Sequence, residues 1–497
     1  MTDVLLGQAY HLRFDPKLWR AQQPFAPLGT LYAASYLRSR GWSVALYDAM
    51  IADSEREWAE ALDRTRPAVA VIYEDSFNYL TKMCLLRMRE AALRMIDLAR
   101  HRGYPVLVSG SDATDHPETY LQQGAGAVIL GEAEVTLGEL VDRLISGQSL
   151  EDVSGIAYRD RNGTICRTAQ RRFVKTLDDL PFPAWDLVDV ARYRSIWHRR
   201  HGYHEMNVAT TRGCPYHCNW CAKPIYGQRY AVRSPENVVK ELAWLGREFQ
   251  PDQISIVDDV FGLQPGWIAE FARLLEDAGV HVPFRCLMRA DQVTEPITHA
   301  LASAGCRMVW MGAESGSQRI LDAMEKGVRV EQIREAHRVL RRSGIAVGLF
   351  LQFGYPGETW DDIEATLALI RELNPEDLGV SVSYPLPGTR FYERVREGLG
   401  RKQNWVDSAD LAMMYRATYE PDFYRVLHDV VHHEFRVRRF KPTVKGALTW
   451  AYNRAALPLA GRRLRRLAEQ SAREPLPARL APMLTRVAAG TPSEQDS

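Results

Sequence analysis

What most restricts the fold of this chain is an alternation of short apolar runs with amphipathic stretches, made twice along its length. In the first passage the runs lie at residues 4–8, 43–47, 68–73, 105–108 and 127–130. Strands that are apolar throughout are buried on both faces, which is the condition of a parallel sheet covered by helices on either side. Residues 28–40, 80–102 and 135–145 carry apolar positions at helical spacing and supply those helices. Such sheets bind ligands in the crevice at the carboxyl ends of their strands. The loops there are 8–11, 74–78, 110–114 and 131–134. No G-x-G-x-x-G follows the first run, so a dinucleotide site is not expected.

The second passage runs from 206 to about 395, with strands predicted at 207–210, 253–257, 284–287, 308–312, 346–350 and 379–384. Ser234-Pro235 opens one of the intervening helices, a good N-cap followed by proline at the first helical position. Six β/α units in about 190 residues fit a partial barrel better than a second open sheet, and barrels carry their chemistry at the strand ends. Between the passages, strands at 156–158 and 164–167 flank Asn162-Gly163, a hairpin signal. Leu180-Pro181-Phe182-Pro183 reads as a linker. Residues 400–497 lack a strand pattern and read as helical. The expected α/β organisation is a flavodoxin- or Rossmann-like sheet domain over 1–150, a hairpin and linker over 151–200, a (β/α)6 barrel over 201–400 and a helical region over 401–497.

Seven cysteines in 497 residues are too few, and odd in number, for a disulfide framework. Three of them crowd into Gly213-Cys214-Pro215-Tyr216-His217-Cys218-Asn219-Trp220-Cys221, directly after the first barrel strand. The spacing C-x3-C-x2-C puts three thiolates on one tight loop, enough for three irons of a [4Fe–4S] cluster, with the fourth iron left open. Structural zinc wants four ligands, usually in two separated pairs, and the second pair is missing.

This loop in its strand context resembles the radical S-adenosylmethionine (SAM) superfamily. The resemblance implies that Cys214, Cys218 and Cys221 bind the cluster, that the open iron takes the amino and carboxylate groups of SAM, and that Trp220 shields the cluster. It implies SAM contacts at Asp258 and Asp259 after the second barrel strand, at Arg289 after the third, and at Glu314 and Ser315 in Gly312-Ala313-Glu314-Ser315-Gly316-Ser317 after the fourth. Gly354-Tyr355-Pro356-Gly357-Glu358 follows the fifth strand, and Pro385-Leu386-Pro387-Gly388-Thr389 follows the sixth, near where the family holds adenine. Arg229-Tyr230-Ala231-Val232-Arg233-Ser234-Pro235 is similar to the stretch after the cluster loop in cobalamin-binding members.

The first domain resembles the cobalamin-binding domain of that subfamily. The features that carry this are Pro27-Leu28-Gly29, Asp48, Gly110-Ser111-Asp112-Ala113-Thr114 and Gly131-Glu132-Ala133-Glu134. They imply cofactor contacts at Pro27, Gly29, Gly110, Thr114, Gly131 and Glu132. Two departures stand out. The D-x-H-x-x-G motif whose histidine ligates cobalt is absent, since Ala9 precedes His11 where an aspartate is needed, and Asp112 stands where relatives often have histidine.

Together these features imply a cobalamin-dependent radical SAM enzyme, a C-methyltransferase acting on an unactivated carbon of a natural product, tetrapyrrole or lipid. The alternative with the same cofactors is an oxidative cyclase of the anaerobic magnesium-protoporphyrin IX monomethyl ester type. A tRNA methylthiotransferase would carry three cysteines in its first domain, and residues 1–150 hold only Cys84. A cobalamin-binding sensor would not need an open iron site. The expected partners are the small-molecule substrate and a low-potential donor such as flavodoxin or ferredoxin, with no nucleic acid. The N-terminus lacks a basic stretch ahead of a long apolar core and no window is apolar enough to span a membrane, so a cytoplasmic location is expected. The near-neutral net charge of +1 hides an asymmetry: residues 436–480 hold 12 Lys/Arg against two acids. That basic tail reads either as a solvated helix or as a peripheral contact with anionic lipid.

Overall fold

The computed structural model describes residues 2–439 and 443–472; the part of the basic tail beyond 472 lies outside them. Among these residues the first sheet has seven strands. Val44–Tyr47, Val4–Gly7, Val69–Tyr73, Val106–Ser109 and Ala127–Ile129 run parallel in that spatial order. Alternate residues feed two cores. Leu5, Ala70, Ile72 and Val108 face Trp58, Met95 and Ile96 on one side. Leu6, Val71, Leu107 and Ile129 face Leu37, Leu137 and Leu140 on the other. The chain moves outward from the first strand to the second and then crosses back to the third, so the switch point lies between Val4–Gly7 and Val69–Tyr73.

Three expectations change here. The hairpin, Ile156–Arg159 with Ile165–Arg167, joins the first sheet by pairing antiparallel with Ala127–Ile129, whose outer edge would otherwise be open. The linker stretch holds a helix, Val190–His201, started by the Asp189 carboxylate accepting from the Arg192 N–H. The single helix expected over 80–102 is two, Tyr79–Lys82 and Leu86–Arg100. They part at Cys84, which takes a left-handed φ of 54°. Partners from the far end of the chain satisfy the broken turn: Asn404 donates to the Cys84 carbonyl at 2.9 Å and the Leu86 N–H donates to the Trp405 carbonyl at 2.8 Å.

The second sheet has six parallel strands in chain order: Glu205–Val208, Gln253–Ile256, Phe284–Met288, Cys306–Glu314, Ala346–Phe353 and Asp377–Val382. The first lies two residues earlier than expected, and Thr211–Arg212 beyond it forms a small ribbon with Ala231–Val232. The region after 400 is only partly helical. Residues 400–420 form a strap, followed by the helices Pro421–Arg438 and Val444–Ala472. Within the strap, Ser408 donates to Asp15 of the first domain at 2.6 Å, and Trp405 meets Tyr384 edge-on at 4.6 Å while donating to the Ala412 carbonyl. Trp405→Ala empties that buried contact and lowers stability by about 3–5 kcal/mol, read as an earlier denaturant midpoint.

Candidate functional site

The loops at the carboxyl ends of the two sheets face one another across the domain boundary. The cysteine loop leaves its ribbon at Gly213, whose φ of +77° suits glycine and where a Cβ would strike the Arg229 carbonyl oxygen. Asn219, inside the loop, fastens it: its side chain donates to the Ala323 carbonyl at 2.8 Å and accepts from the Tyr355 hydroxyl at 2.9 Å. Its backbone donates to Met324 and accepts from Phe391. Cys218 is buried, and Cys214 and Cys221 are half-buried. Burial pushes the Cys214 thiol up and that of Cys221 up to about 12. Among the described residues no three His, Cys, Asp or Glu side chains are drawn together tightly enough to hold a metal ion. The donor set itself, three thiols on one short loop beside two cations, matches a thiolate-ligated iron–sulfur cluster.

Those cations are Arg289 and Lys326. Arg289 stacks on Tyr216 at 3.6 Å, approaches the Cys218 sulfur at 4.0 Å and donates to the Lys326 carbonyl at 3.0 Å. Lys326 pairs with Glu314 at 2.8 Å. Burial works against the Lys326 charge, but Glu314 and the nearby Cys218 outweigh it and hold its pKa up. Glu314 sits at φ 58° at the end of its strand, a conformation uncommon for a residue other than glycine. Ser315 is turned away, its hydroxyl shared with Thr366 and the Ser317 N–H.

The second-strand aspartates have other partners than those expected. Asp258 accepts from the Thr210 and Thr211 N–H groups at 2.7 and 3.0 Å and from the Thr210 hydroxyl, so it pins the strand end ahead of the cysteine loop. Burial raises it to about 6. Asp259 pairs with Lys82 of the first domain at 2.7 Å. Glu132 is also engaged: Arg212 donates to Glu132 and Glu134 at 2.6 and 2.7 Å, with all three side chains buried. Tyr32 and Tyr226 flank the guanidinium, and Ser76 bonds the Tyr226 hydroxyl at 2.6 Å. Tyr79, 58% exposed, lies within electrostatic reach of Cys221 and Glu314.

At the strand ends of the first sheet, several polar side chains that are bonded through one atom leave a second one buried without a partner. Gln8 Nε2, Glu74 Oε2, Asp75 Oδ2, Asn78 Nδ2 and Ser111 Oγ are buried without a hydrogen bond. Burial lifts Glu74 to about 8 and Asp75 to about 6. Leaving so many buried polar atoms unmet at one end of a sheet is costly unless a polar ligand meets them. A corrin rimmed with amide side chains fits that need. Gly110 lies against Glu74, where a Cβ would come within 2.7 Å of the Glu74 Cβ. The Gly29 N–H donates to Asp75 at 2.9 Å, the Pro27 carbonyl accepts from Leu31, and the Gly131 N–H donates to Thr114 at 3.3 Å. His11 is fully used, between the Tyr47 hydroxyl at 2.9 Å and the Ala9 carbonyl at 3.1 Å. Asp112 is held by Arg89 and the Tyr120 hydroxyl. Neither offers a free ligand to cobalt.

Signals for the residues missed by sequence reasoning were weak. Arg212 precedes the first cysteine by two residues, but nothing local identifies its partners 78 and 80 residues earlier. Lys326 follows a short helix, Gln318–Ala323, with no motif around it.

Comparison with known proteins matches the radical SAM superfamily over residues 208–370 and the B12 binding domain over residues 19–141. An uncharacterized methyltransferase, PH0819, of Pyrococcus horikoshii is 28% identical over 370 residues, covering 70% of this chain and 78% of that protein. The cytidylyl-2-hydroxyethylphosphonate methyltransferase of Streptomyces wedmorensis is 25% identical over 79% of this chain and 81% of its own. Among solved structures, the cobalamin-dependent S-adenosylmethionine radical enzyme OxsB with aqua-cobalamin bound superposes with a TM-score of 0.72 at 18% identity, over 93% of this chain and 72% of that one. That last likeness is one of fold.

Two outcomes test the electrostatics. Arg212→Met leaves two buried carboxylates without a counter-charge and costs about 3–5 kcal/mol; adding Glu132→Gln and Glu134→Gln recovers most of it in the same denaturation measurement. Glu358, with one oxygen on the Gly354 N–H and the other unpartnered, is lifted by burial to about 8. Its folded pKa is above its unfolded one, so the stability it contributes is full below the ordinary carboxylate range and is lost as pH rises towards about 8. Melting temperatures taken across that window should fall for the wild type relative to Glu358→Gln, and parallel curves would refute the assignment.

Proposed function

Because the chain belongs to the radical SAM superfamily and carries a B12-binding domain, we propose that it is a cobalamin-dependent radical SAM C-methyltransferase acting on an unactivated carbon of a small molecule. One observation carries the reading: the cysteine loop is bolted by Arg212 to Glu132 and Glu134 in the strand-end loops of the first sheet, and those loops carry buried polar atoms without partners. Bound at the domain boundary, the cluster with SAM supplies the hydrogen-abstracting radical and the cobalamin supplies the methyl group.

The chain's own residues do the positioning. Cys214, Cys218 and Cys221 would hold the cluster, with Asn219 keeping their loop against the fourth and sixth strand returns. Arg289 and Lys326, next to Cys218, supply positive charge suited to the SAM carboxylate, and Glu314 orients Lys326. Asp258 acts through Thr210 and Thr211, holding the loop's entry. Gln8, Glu74, Asp75, Asn78 and Ser111 are the donors and acceptors for the corrin periphery. His11 and Asp112 are already paired within the chain, so neither would serve as a ligand to cobalt. Glu74 and Asp75, raised by burial, can also donate through their unpartnered oxygens in their protonated forms.

A reaction of this class requires a low-potential one-electron donor such as flavodoxin or ferredoxin. Seven free cysteines among the described residues suit a reducing compartment, and the cytoplasm is the location this reading implies.

The test is anaerobic purification of the full chain with iron, sulfide and cobalamin supplied. The expected result is about four irons per chain, a bound corrin spectrum and SAM-dependent 5′-deoxyadenosine. Cys218→Ala should lose the iron and the SAM cleavage and keep the corrin. Full iron retention in that variant would overturn the ligand assignment. A product one carbon heavier than the substrate supports methyl transfer, whereas a product without the added carbon overturns it in favour of cyclisation.

A further inference from the structure

The helix Val444–Ala472 has one face that the fold uses and one that it does not. Its inner face lies on Pro421–Arg438, with Asn453 and Leu464 buried, Asn453 meeting His433 at 2.7 Å, and Trp450 donating to the Val437 carbonyl. At helical spacing Leu448, Tyr452, Ala455 and Leu459 fall in one narrow stripe, which borders that contact where the Tyr452 ring meets His433 edge-on at 5.9 Å. Leu448, Tyr452 and Leu459 are 69%, 67% and 62% exposed, the most exposed large apolar side chains among the described residues.

The charges around the stripe are as one-sided as its hydrophobicity. The helix carries Lys445, Arg454, Arg462, Arg463, Arg465 and Arg466, all exposed, against the single acid Glu469. Elsewhere arginines pair freely with carboxylates, as Arg334 does with Glu372 and Arg371 with Glu434 on nearby helices. Among the described residues none of these six cations has a carboxylate partner; Arg454 only overlies Trp450. Arg462, Arg463 and Arg466 continue the line of the apolar stripe towards the end of the helix. The helix is not long and apolar enough to cross a membrane.

An exposed apolar stripe running into a cluster of unpaired arginines has the chemistry of an interfacial helix. Its apolar side chains enter the acyl boundary while its cations meet lipid phosphates. We propose that the outward face of Val444–Ala472 docks this protein on an anionic lipid surface. Nucleic acid would answer the arginines but leave Leu448, Tyr452 and Leu459 in water. A second copy would answer the stripe but bring an equally basic helix against this one. Of the three, the lipid surface alone satisfies both features, and the proposal is independent of the reaction proposed above.

The full chain is tested by flotation with vesicles of phosphatidylcholine alone and of phosphatidylcholine mixed with phosphatidylglycerol. It should float with the anionic vesicles and not with the neutral ones, and added salt should weaken the binding. Leu448→Glu with Leu459→Glu should reduce flotation by about tenfold or more. Both sites are exposed, so an unchanged circular dichroism spectrum and melting temperature separate lost docking from lost folding. Replacing Arg462, Arg463, Arg465 and Arg466 by Gln should remove the preference for anionic lipid. The proposal is overturned by equal flotation with both vesicles, by no flotation at all, or by an apolar-stripe variant that floats as the wild type does. It is likewise overturned if the same substitutions abolish self-association or RNA binding while the wild type ignores vesicles.

Discussion

A buried guanidinium is tolerable only when its charge and its donors are met, and Arg212 meets that condition by reaching into another domain. Its two carboxylate partners belong to the loop after the fifth strand of the first sheet, while Arg212 itself stands two residues before the first loop cysteine. Three charges held out of water leave no intermediate arrangement: the pair is made, or each charge carries its full desolvation penalty. The distance between the cysteine loop and the strand ends of the first sheet is therefore set by this contact. Tyr32 and Tyr226 pack on the guanidinium and remove the space in which it could turn.

Further contacts close the boundary at other points. Lys82 reaches Asp259 beyond the second barrel strand, and Ser76 reaches Tyr226. The strap at 400–420 returns from the barrel to Asp15 and to the broken helix at Cys84. These contacts frame the strand ends of the first sheet, where buried atoms of residues from Gln8 to Ser111 have no hydrogen-bond partner. Strand ends free to rearrange would satisfy their own groups and lose the capacity to orient a large polar cofactor.

Much of the fold was legible because it rests on periodicity. Strands apolar on both faces, such as Val69–Tyr73, and helices with a single apolar side, such as Glu134–Ile145, state their surroundings locally. The failures share a cause. The helix break at Cys84 is stabilised by Asn404 and Trp405, more than 300 residues away, and the hairpin's attachment depends on an open sheet edge. At the site, spacing made the cysteine triplet legible, and the resemblance pointed to Arg289, which stands beside Cys218. Asp258 was expected to contact SAM and Glu132 the cobalamin; both lie at strand ends, and both have partners within the chain. Whether such a residue faces a ligand or a neighbouring backbone is a matter of the approaching chain, and Thr210, Thr211 and Arg212 are what approach.

By itself the sequence determined the chemistry available: three thiols on one loop, two strand-rich passages, and a basic stretch late in the chain. These are properties of neighbours in the chain, and local spacing specifies them. The tertiary structure decided which of those groups remain free. It gave Asp258, Glu132, His11 and Asp112 internal partners, brought the unheralded Lys326 to Cys218, and left one buried polar atom each of Gln8, Glu74, Asp75, Asn78 and Ser111 without a partner. Hydrogen bonds and ion pairs saturate, so a side chain's availability depends on every element packed against it, and those elements come together only in the folded chain.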